Sequence, residues 1–315
     1  MIPYVWLQQA FARISPHIHK TPLTYDFQNN LYLKWENHQV TGSFKARGAL
    51  NKILSLQDWE LQRGLVTASA GNHGQGVALA ASMKHARVIV FASEHALQNK
   101  LQAMRDLGAE IQLVPGGYGE AEQAGISYAN ATGATWVSPY NDGMIIAGQG
   151  TIALEVMKEL PDPNSTCWII PAGGGGLVSG IGCALQELNP SPSLVAVQSE
   201  ASSFLYQIYH HGTQKGVVEL PSLADGLAGP VEEGSVTIPI VKNFVTDFVL
   251  VTETEIRKAI KHAWLTYHER IEGSAAAALA AVISGRITAR PAVVVLSGGN
   301  IPTEEHTQII NDPDL

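Results

Sequence analysis

An α/β fold built on parallel sheets is predicted by three observations. Short apolar runs alternate with stretches of helical periodicity along most of the chain, the pattern of parallel strands joined by crossover helices. Several of those runs end in glycine-rich loops, which bring backbone N–H groups to a ligand at the carboxyl ends of strands. The chain has 315 residues, more than one hydrophobic core usually serves, so two lobes are expected.

Taken in order, residues 5–14 read as an amphipathic helix and residues 31–36 alternate as a short strand. The stretch Thr41-Gly42-Ser43-Phe44-Lys45-Ala46-Arg47-Gly48 follows, and residues 49–54 read as helix. Lys45 therefore falls at a loop-to-helix junction among small residues. Strands are predicted over 65–68, 87–91, 111–114 and 135–137, with helices over about 74–83, 97–107 and 120–131. The alternation resumes with strands over 167–170, 194–198, 248–251 and 292–296. Thr252 and Glu255 have capping-box spacing, and Ile256, Ile260, Ala263, Trp264 and Tyr267 then recur at helical intervals. No internal repeat or low-complexity linker interrupts the pattern.

Composition narrows the function classes. Apolar residues make up 45% and charged residues 15%, which suits a globular enzyme or binding protein. A formal charge of −8 without a Lys/Arg-rich run argues against nucleic acid as a partner. The longest apolar stretch, residues 275–283, is too short to span a bilayer, and Gln8, Gln9 and Arg13 break any leader-like run. Cys167 and Cys183 lie in apolar stretches and show no metal-ligand spacing, so they read as buried thiols of a reducing compartment. A cytoplasmic location is expected.

Four stretches carry the chemistry. Lys45 offers a primary amine, which condenses with aldehydes. Taken alone it would more simply be a solvated charge. Gly173, Gly174, Gly175 and Gly176 follow an apolar strand and precede a helix starting near Leu177, an arrangement that receives a phosphate on backbone N–H groups and a helix N-terminus. Dinucleotide and Walker motifs are absent, because Ser179 replaces the third glycine of one and Ile181 the lysine of the other. Ser69, Ala70, Gly71, Asn72 and His73 form a second small-residue loop after a strand. Ser297-Gly298-Gly299-Asn300 form a third.

Together, in this order, these motifs resemble the fold-type II (tryptophan synthase β-like) pyridoxal-phosphate enzymes, specifically the serine/threonine dehydratase and serine racemase group. The resemblance runs through nearly the whole chain. It implies two parallel-sheet α/β lobes with the cofactor between them: residues 1–63 and 144–315 as the large lobe, 64–143 as the small one. It implies that Lys45 holds pyridoxal 5'-phosphate and acts as the catalytic amine, with Phe44 packed near the cofactor ring. Asn72 is implied to contact the ring's 3-oxygen, Gly173 to Gly176 and Leu177 to cradle the phosphate, and Ser297 to partner the pyridine nitrogen. Residues Ser69, Ala70, Gly71, Asn72 and His73 would receive the substrate carboxylate, His73 through its backbone. The implied reaction is α,β-elimination of water from a β-hydroxy L-amino acid: the Lys45 amine takes the Cα proton, the β-hydroxyl leaves with the cofactor phosphate as proton donor, and the released enamine hydrolyses in water to a 2-oxo acid and ammonia. A neutral hydroxyl at Ser297, rather than a carboxylate, leaves the ring a weaker electron sink and so suits elimination.

Departures from the family pattern are informative. Racemases of the group place a serine before the Gly-Asn pair as a second base, where this chain has Ala70; a missing general base typically costs about 10²–10⁴ in rate. Glu200 matches one ligand of metal-dependent members, but Tyr206 stands where they carry aspartate, so no metal is expected. The chain stops soon after the Ser297 motif, so the C-terminal regulatory domain of the larger dehydratases is not expected. Ser43-Phe44-Lys45-Ala46-Arg47 differs from the Ser-Val-Lys-Asp-Arg of cysteine synthases. Glu272 fits an acidic position near the cofactor and equally fits a surface helix start; the stretch from Ala224 to Gly229 is family-like at Ala-Asp-Gly. The alternatives are a lyase for another amino acid, such as 3-hydroxyaspartate or a compatible-solute intermediate, a serine racemase, and a non-catalytic binder of a phosphorylated ligand. A homodimer or higher homo-oligomer is expected, acting on a small amino acid.

Overall fold

The computed structural model describes residues 1–189 and 192–315. Helix α1 (Tyr4–Ile14) buries Leu7, Ala10 and Ile14, one stripe of the expected amphipathic pattern. Strands β1 (Leu23–Asp26) and β2 (Leu31–Trp35) pair antiparallel. The four residues between them are too few for a crossover, and Asn30 takes the left-handed conformation the turn needs, at φ 52°. The first sheet is thus mixed rather than purely parallel.

Helix α2 (Lys45–Leu54) begins at Lys45 itself, earlier than the sequence suggests. Gly48 lies inside it because the helix crosses another closely: a Cβ at Gly48 would sit 2.3 Å from Gln149 Nε2, and one at Gly148 2.6 Å from the Arg47 carbonyl oxygen. Next come α3 (Asp58–Gln62), β3 (Leu65–Ala68), α4 (Asn72–Met83), β4 (Val88–Ser93), α5 (Gln98–Asp106), β5 (Glu110–Val114), α6 (Tyr118–Thr132) and β6 (Thr135–Trp136). Strands β3 to β6 form one four-stranded parallel sheet in the order β5-β4-β3-β6. Helices α2, α4 and α5 contribute to the core on one side of it, through residues such as Leu50, Val77 and Leu101, and α6 covers the other.

Helix α7 (Gly143–Val156) leads back to β7 (Cys167–Pro171), α8 (Gly176–Leu188), β8 (Ser193–Ser199), α9 (Phe204–His211), α10 (Thr237–Phe244), β9 (Asp247–Val251), α11 (Glu253–His262), α12 (Gly273–Ile283), β10 (Ala292–Leu296) and α13 (Thr303–Ile310). The second sheet runs β1-β2-β10-β7-β8-β9. Its inner strands β7 and β10 are buried throughout, because helices cover both faces. Ile152, Ile181 and Phe244 of α7, α8 and α10 pack on one face; Ile256, Ile260 and the alanines of α12 pack on the other. The apolar run at 275–283 is therefore a core helix, and no helix among the described residues is long and apolar enough to cross a membrane. The Thr252–Glu255 capping box forms with both reciprocal bonds. The helix it starts changes character at Ala263, where a π-helical turn (Ala263–Tyr267) ends on His268 at φ 58°.

Topology brings the motif loops together. The loops after β3, β7 and β10 all leave carboxyl ends of parallel strands, and the first comes from a different sheet than the other two.

Candidate active site

One cavity is lined by Phe44, Lys45, residues 69–73, Gly173 to Leu177, Glu272 and Ser297. Every cavity-lining residue expected from the sequence is thereby brought to one place. The Lys45 lead-in is stitched to the Ser297 loop by backbone bonds: Phe44 N–H donates to the Ser297 carbonyl at 3.0 Å and Gly299 N–H to the Gly42 carbonyl at 2.9 Å. Gly42 sits at φ 69° to make that approach.

Lys45 Nζ donates to the Pro139 carbonyl at 2.9 Å and lies 5.3 Å from the centre of the Phe44 ring. Burial pushes its ammonium down to about 8, with the Glu272 charge pulling the other way. At neutral pH roughly a tenth of these amines are then unprotonated, against a negligible share for an ordinary lysine. The amine is poised for nucleophilic attack and proton transfer.

The loop after β3 turns into the N-terminus of α4, whose first N–H groups lack intrahelical acceptors and favour an anion. Within it Gly71 N–H donates to Ser69 Oγ at 3.1 Å, and Ala70 is exposed. Asn72 is fixed from both ends: its Nδ2 donates to Glu272 Oε1 at 2.6 Å, and its Oδ1 accepts from Asn300 Nδ2 at 2.7 Å. One Asn72 N–H remains for a ligand. His73 is buried, with Nε2 3.1 Å from the Val137 carbonyl. Burial, then the Lys45 charge, pushes its imidazole down to about 3, so it stays neutral and offers no base of useful strength.

The four glycines form a cradle that side chains would fill. A Cβ at Gly174 would lie 2.4 Å from the Tyr140 ring, and one at Gly173 2.8 Å from Leu227 Cα; Gly175 holds φ 87°. Thr237 Oγ1 donates to the Gly174 carbonyl at 2.8 Å, so that oxygen has a partner of its own. Helix α8 starts at Gly176, adding its N-terminal dipole. A phosphate cradle, a perturbed lysine amine and a nearly buried serine hydroxyl at Ser297 lining one cavity fit pyridoxal phosphate. Gly173 to Gly176 would hold its phosphate, Lys45 its aldehyde, and Ser297 its ring nitrogen.

Glu272 lies at the N-cap of α12 and is buried at the site, so the surface reading of this position is wrong. Burial, then the nearby Asp225 charge, raises its carboxyl to about 7, against the pull of Lys100 and the Asn72 bond. Lys100 and Asp225 pair across the mouth at 2.5 Å. Sequence patterns do not disclose Lys100, Tyr140 or Thr237, which arrive from unremarkable helix and loop positions; Asp225 lies within the Ala-Asp-Gly stretch.

Glu200 is exposed on a 3₁₀ turn outside the cavity, and Tyr206 N–H donates to Gln198 Oε1. No group of three or more His, Cys, Asp or Glu side chains able to hold a metal ion occurs among the described residues. Cys167 and Cys183 are buried and unpaired.

The family described as "Pyridoxal-phosphate dependent enzyme" matches residues 14–298. An L-threonine ammonia-lyase of Thermotoga maritima is 38% identical over 318 residues, covering 99% of this chain and 79% of that protein. Among solved structures, maize serine racemase superposes with a TM-score of 0.88 at 30% identity, covering 97% of this chain and 95% of that one. The processed form of threonine deaminase isoform 2 from Solanum lycopersicum superposes with a TM-score of 0.87 at 27% identity, covering 98% of this chain and 93% of that one.

Proposed function

Because the chain belongs to the pyridoxal-phosphate dependent enzyme family, we propose that its cavity eliminates water from a β-hydroxy L-amino acid, threonine or serine, giving a 2-oxo acid and ammonia. The observation that carries this reading is Lys45, whose amine is lowered to about 8 beside the glycine cradle. The likeness to threonine ammonia-lyases at 38% identity supports the same reaction class.

When bound, pyridoxal phosphate supplies an aldehyde for the substrate amine and an electron-withdrawing ring next to Cα. The chain's own groups do the rest. Gly173 to Gly176 and the start of α8 neutralise the phosphate through N–H groups. Residues 69–73 receive the substrate carboxylate at the N-terminus of α4. Lys45 would hold the aldehyde, and its amine, at the cavity wall, would take the Cα proton. Ser297 would offer the ring nitrogen a neutral hydroxyl rather than a carboxylate, which favours loss of the β-hydroxyl over return of the proton. The walls of Phe44, Tyr140 and Leu227 limit water around Lys45.

The lining favours a neutral substrate side chain. Lys100 is paired with Asp225, and Glu219 and Glu272 also face the cavity, so a second substrate carboxylate such as that of 3-hydroxyaspartate meets repulsion. We take residues 64–143 as the smaller lobe, a division supported by the four strands of one sheet lying between Leu65 and Trp136. Work in the cytoplasm as a homo-oligomer belongs to the same reading; two unpaired buried thiols suit a reducing compartment.

The test is to incubate purified holoenzyme with L-threonine, L-serine and 3-hydroxyaspartate, following 2-oxo acid, ammonia and D-isomer. Release of 2-oxo acid and ammonia from threonine or serine in equal amounts is expected. A predominant D-isomer, or turnover of 3-hydroxyaspartate alone, would overturn the reading.

A further inference from the structure

Behind the lysine, on the side away from the cavity, lies a buried quartet of charges. Arg47 Nε and Nη2 each donate to a Glu36 oxygen at 2.8 Å, and Arg47 Nη1 and Nη2 reach the two Glu155 oxygens at 2.7 and 2.9 Å. Lys34 Nζ donates to Glu155 Oε2 and to the Thr21 carbonyl, both at 2.7 Å. Thr21 Oγ1 donates to Glu36 Oε1 at 2.5 Å, and Arg47 Nη1 also reaches Thr151 Oγ1 at 3.2 Å. Lys34, Glu36 and Arg47 are fully buried and Glu155 nearly so. Two cations face two anions, and the charges balance.

Such an assembly is an expensive way to stabilise a core, because desolvating four charges offsets most of their attraction. Its geometry suggests a different use. Glu36 ends the segment that precedes the Lys45 loop, and Arg47 lies in the first turn of α2, so the quartet grips both ends of residues 37–46. Arg47 and Lys45 are two residues apart on one helix, about 200° around its axis. Holding the Arg47 fork from Glu36, just past the end of β2, on one side and from α7 on the other therefore fixes the rotation of α2, and with it the direction of Lys45. A rotation of about 10° would move a group about 6 Å from the axis by roughly 1 Å. Misplacement on that scale costs catalytic groups about a hundredfold.

We propose that Arg47, clamped between Glu36 and Glu155, is a positioning residue that sets the aim of Lys45. The inference rests on the reading of Lys45 as the cofactor-holding amine. Peptide mapping of the borohydride-reduced holoenzyme checks that reading separately: an adduct on another lysine would remove it, whatever Arg47 does.

The test uses Arg47→Lys, which keeps the charge balance but replaces the rigid fork by a point charge unable to hold both carboxylates in plane. The holoenzyme variant is expected to lose about tenfold or more in kcat with KM within about threefold, and its visible cofactor band to change position or pH midpoint. Wild-type kcat with an unaltered band would overturn the proposal, as would a loss confined to KM. Should this variant not accumulate as folded protein, the paired change Lys34→Met with Glu155→Gln decides. It removes one cation and one anion and leaves the Arg47–Glu36 fork intact. A smaller fall in kcat at constant KM supports positioning, and wild-type kcat overturns it.

Discussion

Asn72 Nδ2 donates to Glu272 Oε1 at 2.6 Å, tying the start of α4 to the start of α12 across the cavity. The bond joins an element beside one sheet to an element beside the other, so it both orients Asn72 and spans the cleft. It has a consequence for pH. Glu272 is raised from 4.5 to about 7, chiefly by burial. Over that window the native state holds the proton more tightly than the unfolded chain, so stability is greatest below about 4.5 and is lost as pH rises through about 7. The cost of the ionised form is on the order of 3 kcal/mol. Glu272→Gln should therefore melt increasingly above the wild type as pH rises from about 5 to 8. Thermal melts of the cofactor-free proteins check this, and a pH-independent difference would show an ordinary carboxylate.

Lys45 carries the opposite signature. Its amine is lowered from 10.5 to about 8 by burial, so between those values the unfolded chain binds more protons than the native one. The buried ammonium costs stability below about 8, and the cost fades as pH climbs toward 10.5. In cofactor-free protein, Lys45→Met should raise the melting temperature at pH 7, by an amount equivalent to about 3 kcal/mol, and lose that advantage near pH 10.5. The same variant should hold no borohydride-reducible cofactor. Retention of the adduct would move the assignment to another lysine.

The glycine cradle gives a prediction that separates binding from folding. Gly175 adopts φ 87°, and a Cβ there would meet Thr237 at 3.0 Å. Gly175→Ala should cost about 1–2 kcal/mol in the fold through left-handed strain. Pyridoxal phosphate affinity should fall by more, about tenfold beyond what that loss accounts for, because the N–H groups no longer converge. Equilibrium dialysis of the folded variant measures it; unchanged affinity would mean that the loop serves packing alone.

Much of the architecture was legible because strands and helices of different period announce themselves. Residues 65–68 and 292–296 read as strands and are strands β3 and β10. Helix α7 left no such trace: almost every residue is buried, so no polar stripe marks a solvent face, and three glycines weaken its propensity. Strand β1 was hidden because, at the edge of its sheet, none of its four residues is buried and no apolar run marks it. In the site, glycine-rich loops after strands pointed to the cradle, since only those residues permit the approach. Arg47 and Glu155 could not be found this way. A charged residue in a sequence reads as solvated, and only the packing of β2, α2 and α7 shows where their partners lie. Lys100 and Asp225 meet from positions 125 residues apart, a proximity set by topology rather than by any local pattern.

The reaction's outcome after the Cα proton is removed turns on the loop after β3. Ala70 has no acid or base, and its neighbour Ser69 is nearly buried, with its hydroxyl oxygen accepting from Gly71 N–H at 3.1 Å. His73 is held neutral against the Val137 carbonyl. Inversion at Cα would then have to draw its proton from water, and on the proposed role of Ser297 its neutral hydroxyl would favour elimination. Elimination should dominate with L-serine as substrate. Ala70→Ser places a hydroxyl on an exposed, cavity-lining position where it can reach a bound substrate. The ratio of D-serine formed to pyruvate released should rise by about tenfold or more, a part of the roughly 10²–10⁴ that a general acid–base group typically contributes. Chiral chromatography of timed reactions, run alongside a pyruvate assay, measures both products at once. A wild-type enzyme forming mainly D-serine would show that a second base acts from another residue, and a variant with an unchanged ratio would show that position 70 does not face Cα.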